Sequence, residues 1–252
     1  MCYYGNSDGD KMIKHINDVD INYIEYGKGK DVVLLHGWGQ NISMMKPIGD
    51  GLKNNHIIII DLPGYGNSSE PKSVWTIYDY VECVHNLLTK LNVKKPILIG
   101  HSFGGKISLE YASKYEVEKL ILFGSPYKKA ITKMPLKTKI LKSLKKVPGL
   151  NKLEGFAKKH IGSTDYKQAS EMMRKILVET VNLDITEDVK KIKCPTLIIW
   201  GTLDEAVPIS DAYELEKLIK DAGLVVYEGC THYAYLERLN QTIKVIKIFL
   251  EG

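Results

Sequence analysis

A serine set among glycines is the first pattern in this chain able to make and break a covalent bond: Gly100-His101-Ser102-Phe103-Gly104, with Gly105 next. It follows the apolar run Pro96-Ile97-Leu98-Ile99 and opens a stretch containing Ile107, Tyr111 and Ala112, so strand, tight turn and helix are expected in that order. Such a turn leaves almost no room for flanking side chains and holds the hydroxyl exposed at a helix N-terminus. A hydroxyl is a weak nucleophile at neutral pH, so it needs a base, and the base needs a group to orient it. If the order is serine, acid, histidine, both lie downstream. Of seven histidines, His15, His56, His85 and His160 fall at strand starts or on helices, and His36 and His101 belong to backbone turns. His232 lies in a loop just past the last expected strand, at the sheet edge where sites form in open α/β folds. The expected strand at 196–200 runs into Gly201-Thr202-Leu203-Asp204-Glu205-Ala206-Val207-Pro208, which places Asp204 at the same edge. Glu205 is next door but points elsewhere on most turn geometries. A carboxylate at 204 would accept the imidazole N–H, fix its tautomer and stabilise the imidazolium.

Acyl transfer also needs hydrogen-bond donors for the developing oxyanion. The backbone N–H of Phe103 is one. The loop after the expected strand at 31–35 reads His36-Gly37-Trp38-Gly39, and its glycines let backbone approach a ligand closely, with the Trp38 N–H as the second donor.

These residues must be carried by a sheet. Short apolar runs alternate with helix-length amphipathic stretches, the order of a mainly parallel sheet with helices on both faces. Strands are expected at 12–16, 20–26, 31–35, 56–60, 96–100, 118–123, 195–200 and 224–228. The run Ile57-Ile58-Ile59-Ile60 does not alternate with polar residues, as befits a central strand covered on both faces. The first two candidates alternate better and read as an antiparallel edge hairpin. Between the sixth and seventh strands lie about 70 residues without a convincing strand. Leu136, Ile140 and Leu144 before Pro148-Gly149 suggest one helix, Asn151 with Glu154 caps a short second one, and Met172, Met173, Ile176, Leu177 and Val181 mark a third. The reading is an α/β core at 1–126 and 194–252 with a helical cap at 127–193.

Charge sets the same segment apart. Residues 127–193 carry 17 Lys or Arg against 7 Asp or Glu, while the whole 252-residue chain is only +5. One basic segment on a mildly acidic body points to an inserted module rather than to a nucleic-acid surface. The four cysteines, Cys2, Cys83, Cys194 and Cys230, form no C-x-x-C pair, and no histidine cluster has metal spacing, so free thiols are expected, with no metal and no cofactor. No apolar run is long enough to cross a bilayer and the N-terminus lacks signal-peptide character, which makes the cytoplasm the expected location.

Taken together, His36-Gly37-Trp38-Gly39, Asp61-Leu62-Pro63-Gly64-Tyr65-Gly66-Asn67-Ser68, Gly100 to Gly105, the Gly201 to Pro208 segment and His232 after Gly229 resemble the α/β-hydrolase fold family. The resemblance is to its capped members, which include small esterases and carbon-carbon bond hydrolases. It spans nearly the whole chain and implies an eight-stranded, mostly parallel sheet with an inserted helical lid. It also implies Ser102 as nucleophile, His232 as base, Asp204 as its orienter, and Trp38 and Phe103 as the oxyanion hole. Relatives with an aspartate nucleophile, the haloalkane dehalogenases and soluble epoxide hydrolases, are excluded by Ser102. Ring-cleavage hydrolases usually carry a tryptophan shortly after the histidine, where this chain has Tyr233, Ala234 and Tyr235. The expected substrate is a small-molecule ester of a small to medium acyl group. A ligand-sensing receptor with slow turnover and a perhydrolase or carbon-carbon hydrolase are the alternatives.

Substrate choice would lie in the lid. Met172, Arg174 and Tyr233 are expected near the pocket: Arg174 is suited to grip a carboxylate, and Met44, Met45, Met134, Met172 and Met173 could line an adaptable apolar wall. On an amphipathic helix, however, a solvated arginine and core methionines are the plainer reading. Residues 128–146 hold eight lysines and no acid, a basic stretch that could rest on an anionic membrane, although a solvated face over the body suits it better.

Overall fold

The computed structural model describes residues 10–129 and 169–252. Eight strands form one sheet: β1 Asp10–Ile16, β2 Val19–Gly27, β3 Asp31–Leu35, β4 His56–Ile60, β5 Ile97–His101, β6 Lys119–Phe123, β7 Thr196–Gly201 and β8 Ala222–Tyr227, in the order β1-β2-β4-β3-β5-β6-β7-β8. β1 and β2 make an antiparallel hairpin closed at Asn17, whose φ of 55° is the left-handed conformation such two-residue turns require. β2 runs antiparallel to β4, and every other neighbouring pair is parallel. All eight expected strands are present. β8 begins two residues earlier than the expected 224–228, because Ala222 and Gly223 ladder against Thr196 and Leu197.

The described helices are α1 Ile42–Gly51, α2 Ile77–Lys90, α3 Phe103–Lys114, α4 Glu171–Asn182, α5 Thr186–Val189, α6 Ile209–Leu218, α7 Ala234–Glu237 and α8 Leu239–Glu251. Alternate residues of the buried strands feed two apolar layers. Val33, Leu35, Ile58, Ile60, Leu98, Leu120 and Leu122 pack with α2, α3 and α4 on one face. Val32, Leu34, Ile57, Ile59, Ile97, Ile99 and Phe123 pack with α1 and α8 on the other. Covering both faces is why these strands show no polar alternation. Met44 and Met45 belong to the second layer, under α1, so they are core residues.

The sheet order reverses at the centre: β3 is flanked by β4 on one side and β5 on the other. Loops leaving β3 and β5 at their C-terminal ends therefore diverge around a crevice, the usual ligand position in such sheets. α4 is the expected helix around Met172 to Val181, opened by Ser170, whose hydroxyl accepts the Met173 N–H at 3.0 Å. Its buried residues Met173 and Ile176, with Ile185, Val189 and Ile192 beyond it, join the apolar layer that contains α2 and α3. The expected helices near Leu136 and Asn151, Met134, His160 and all of the lysine-rich stretch beyond Lys129 lie outside the described residues. Lys128 is held by Asp211 and Glu214 of α6. Among the described residues no helix is long and apolar enough to cross a membrane, and Cys83, Cys194 and Cys230 are free thiols.

Candidate active site

Ser102 sits between β5 and α3 with φ 52° and ψ −111°, a strained conformation for a residue with a side chain. Two backbone bonds hold it there: its N–H donates to Phe123 O at 2.9 Å, and its carbonyl accepts the Lys106 N–H at 3.0 Å. The turn fits only because glycine stands at 104. A Cβ there would overlap the carbonyls of Leu35 and His36, and the Gly104 N–H instead donates to His36 O at 3.1 Å. This contact sets the β3 loop beside the serine. The rings of Trp38 and Phe103 meet edge to face at 5.2 Å, so the two residues expected to supply oxyanion donors are neighbours.

His232 lies after β8 and Asp204 after β7, and the structure brings them together. His232 Nδ1 is 2.7 Å from Asp204 Oδ2, with both side chains out of contact with solvent. The other carboxylate oxygen accepts the N–H groups of Ala206 at 2.8 Å and Val207 at 2.9 Å, which fixes the rotamer of Asp204. Donation from Nδ1 to a carboxylate leaves the lone pair of the neutral ring on Nε2. Ser102 Oγ and His232 Nε2 are both buried and neither has a hydrogen-bond partner. Gly124, at φ 50°, packs against the imidazole: a Cβ there would lie 2.9 Å from His232 Nδ1.

Behind this group lies a second polar cluster. The Gly37 N–H donates to Gln40 Oε1 at 2.9 Å, and Gln40 Nε2 donates to the Tyr233 hydroxyl at 3.2 Å. His101 has Nδ1 at 3.2 Å from Gln40 Oε1 and Nε2 at 3.2 Å from the His232 carbonyl. Burial, reinforced by the neighbouring His232, holds the His101 imidazole well below its usual range, so the ring is neutral. His36 is neutral for the same first reason: its Nδ1 faces Gly37 O at 2.8 Å and its Nε2 accepts the Leu62 N–H at 3.0 Å. His15, His56 and His85 are engaged elsewhere, with Asp20, Asp31 and the Tyr115 ring.

Two of the expected pocket residues have different surroundings. Tyr233 is fully buried in the Gln40–His101 cluster, its hydroxyl taken by Gln40 and its ring edge-on to His232. It supports the histidine loop from behind, because the chain turns into α7 immediately after His232. Arg174 lies on the exposed face of α4. Met172 is half-buried, while Met173 is buried against the Pro63-Gly64 turn, where a Cβ on Gly64 would overlap its sulfur.

Two residues that sequence reasoning passed over belong to the same surroundings. Gln40 is one. Lys106 is the other: fully buried one turn after Ser102, it donates to Thr180 O at 2.9 Å and Leu183 O at 2.5 Å. These are orphan carbonyls at the C-terminus of α4, where a cation is favoured. Burial brings its ammonium down to about 8, with the Asp184 carboxylate acting the other way. A lysine on the most buried helix of the fold was the one available signal. Among the described residues no three His, Cys, Asp or Glu side chains converge as a metal site.

The chain matches known proteins along most of its length. A family profile described as alpha/beta hydrolase fold matches residues 31–136 and 129–239. The chain is 27% identical over 248 residues to a pimeloyl-[acyl-carrier protein] methyl ester esterase of Aliivibrio fischeri, spanning 89% of this chain and 95% of that protein. It is 29% identical over 270 residues to Lipase 1 of Psychrobacter immobilis, spanning 96% and 81%. The solved enol-lactonase from Burkholderia xenovorans LB400 has the same fold, with a TM-score of 0.82 at 20% identity over 96% of this chain and 100% of that one.

Proposed function

Because this chain belongs to the α/β hydrolase fold family, we propose that it is a serine hydrolase cleaving carboxylic esters of small to medium acyl groups through an acyl-Ser102 intermediate. The observation that carries this reading is the buried His232–Asp204 pair with an unpartnered Nε2, together with an unpartnered Ser102 Oγ on a strained turn whose N–H is bound to Phe123, the residue before the Gly124 on which the imidazole packs. Names of relatives support the same class, since the two reported above are an esterase and a lipase.

The residues divide the work as follows. His232 Nε2 takes the Ser102 proton as Oγ attacks the ester carbonyl carbon. The N–H groups of Trp38 and Phe103 receive the oxygen that becomes negative, and Asp204 stabilises the imidazolium through Nδ1. As the tetrahedral species collapses, the carbon–oxygen bond to the alcohol breaks and His232 returns the proton to that oxygen. Water then enters with His232 as base, and the acyl–serine bond breaks to give the acid and restore Ser102. Met173 of α4, packed against the Pro63-Gly64 turn, forms part of the wall.

Incubation with a fluorophosphonate, followed by intact-mass measurement and peptide mapping, tests this together with hydrolysis of p-nitrophenyl esters of increasing chain length. Stoichiometric labelling at Ser102 with turnover is expected, and Ser102→Ala should lower kcat by about 10⁴-fold or more while leaving the melting temperature near that of the parent. Turnover retained in Ser102→Ala, or neither label nor turnover in the parent, would reject the reading.

A further inference from the structure

The groups assigned to catalysis stand on four separate loops, and most of those loops are tied to one another by the sheet. Asp204 holds His232, the Ser102 N–H is bound to β6, and the Gly104 N–H is bound to the β3 loop. One relation remains unexplained by these bonds, that between the β3 loop, which would supply the Trp38 donor, and the histidine loop after β8. Oxyanion stabilisation and proton transfer occur in one transition state, so their separation has to be held within a fraction of an ångström.

We propose that Gln40 is the positioning residue that sets this separation, by fastening the oxyanion loop to the histidine loop through a single buried amide; this rests on the serine-hydrolase reading above. The orientation of the amide follows from its partners. Gly37 N–H can only donate, so the atom 2.9 Å from it is Oε1, and Nε2 is left to donate to Tyr233 Oη at 3.2 Å. Gly37 precedes Trp38 and Tyr233 follows His232, so one side chain joins the immediate neighbours of the two groups. Gln40 is almost completely buried, where an unpaired donor or acceptor is costly and each of these bonds is correspondingly directional.

His101 touches both loops as well, but it is not an equivalent tie. Its two nitrogens face Gln40 Oε1 and His232 O, both of which only accept. A neutral imidazole has one N–H, so His101 satisfies one of the two at a time. Gln40 holds both of its loops at once and without reference to any proton. Its side-chain partners are Gly37, Tyr233 and His101, none of them a group assigned to the reaction, so it acts on rate through the loops it joins.

Gln40→Leu, Tyr233→Phe and the double variant test this on the full chain. Each single change should lower kcat for p-nitrophenyl butyrate by about 10-fold with KM within about twofold. The double variant should be no worse than the poorer single one, because both changes cut the same tie. Penalties that multiply in the double variant, or kcat within twofold of the parent in both single variants, would overturn the proposal. A second readout needs no turnover. The downfield proton resonance of His232 Nδ1–H, donated to Asp204, should shift or broaden in both single variants while α2 and α6 amide shifts stay in place. If the parent shows neither label nor turnover, the hydrolase reading fails and this resonance alone decides: movement in both variants supports the tie, and an unmoved resonance in either refutes it.

Discussion

Asp61 and Asp204 are both aspartates buried in loops at the C-terminal edge of one sheet, yet their oxygens are committed in opposite ways. Asp61 accepts the Ile42 N–H at 2.8 Å on Oδ1, and the Asn22 side-chain amide and Asn67 N–H, both at 2.8 Å, on Oδ2. Each donor is a terminus: it holds a helix start, a strand or a turn, and nothing passes beyond it. Asp204 spends one oxygen on backbone in the same manner and the other on His232, and from there the chain of bonds leads to an imidazole nitrogen with no partner. Burial of a carboxylate therefore does not mark a site. What sets Asp204 apart is a hydrogen-bonded path that ends at an unsatisfied imidazole nitrogen, the feature on which the proposed site rests.

The largest effect that would break this contrast is at Asp204. In Asp204→Asn the carbonyl oxygen can keep the Ala206 and Val207 N–H groups, which turns the NH₂ group toward His232 Nδ1. Two donors then face each other, the imidazole moves its proton to Nε2, and the base is lost. We expect kcat for a short p-nitrophenyl ester to fall by about 10³ to 10⁴-fold with the fold retained. Steady-state kinetics beside a thermal melt decides it, and a fall of less than tenfold would mean that Asp204 is only another anchor.

Asp61→Asn should show the converse pattern at smaller amplitude. An amide offers one acceptor oxygen where three N–H donors converge, so at least one donor is left facing NH₂. The cost expected for charge-assisted buried bonds of this kind is about 2–4 kcal/mol. Urea unfolding should register that loss, while kcat per titratable Ser102 stays within about threefold. Lost kcat at unchanged stability would erase the distinction between the two aspartates.

The sequence makes these two regions legible to different degrees, and the reason is the range of the interactions. β4 and β5 are readable because both sides of each strand are covered, and Ser102 because its strand, glycines and helix are contiguous. Asp204 and His232 are readable from strand ends, since a loop's place at the sheet edge follows from topology even when its contacts do not. That the Tyr233 hydroxyl is taken by Gln40 is not readable from adjacency to His232, because adjacency along the chain says nothing about which way the backbone turns as α7 begins. Gln40 carries no pattern, and Lys106 only that of a lysine on a buried helix: Tyr233 is 193 residues from Gln40 and the carbonyls that hold Lys106 are 74 and 77 away, so only folding makes them neighbours. The stretch from Asp61 to Ser68 is visible as a motif, but that Asp61 anchors a helix start, a strand and a turn follows only from the donors that folding brings to its oxygens.

Glu110 offers the finest test of the same contrast, because it is a third buried carboxylate and resembles neither aspartate. It lies on α3 with only 4% of its surface exposed, and its Oε2 accepts no hydrogen bond. Burial, with the Asp188 charge adding to it and Lys191 and Lys114 opposing, pushes its carboxyl up to about 7. A raised value means the folded state binds the proton more tightly than the unfolded chain. The stability this contributes is complete below the ordinary carboxylate range and is lost as pH rises toward and through about 7. Glutamine does not titrate, so Glu110→Gln should equal or trail the parent near the acid end and gain on it by about 1–2 kcal/mol on the alkaline side, a figure reduced for solvent screening. Urea unfolding of both proteins at acid and mildly alkaline pH measures the difference, and the same difference at both would show that Glu110 ionises as an ordinary surface carboxylate. Catalysis should not follow the change: Glu110 lies two turns beyond Ser102 on α3, its charge is felt among Asp188, Lys191 and Lys114, and no bond leads from it to His232. A carboxylate with neither a full set of donors nor a relay to a base costs the protein stability without serving the reaction.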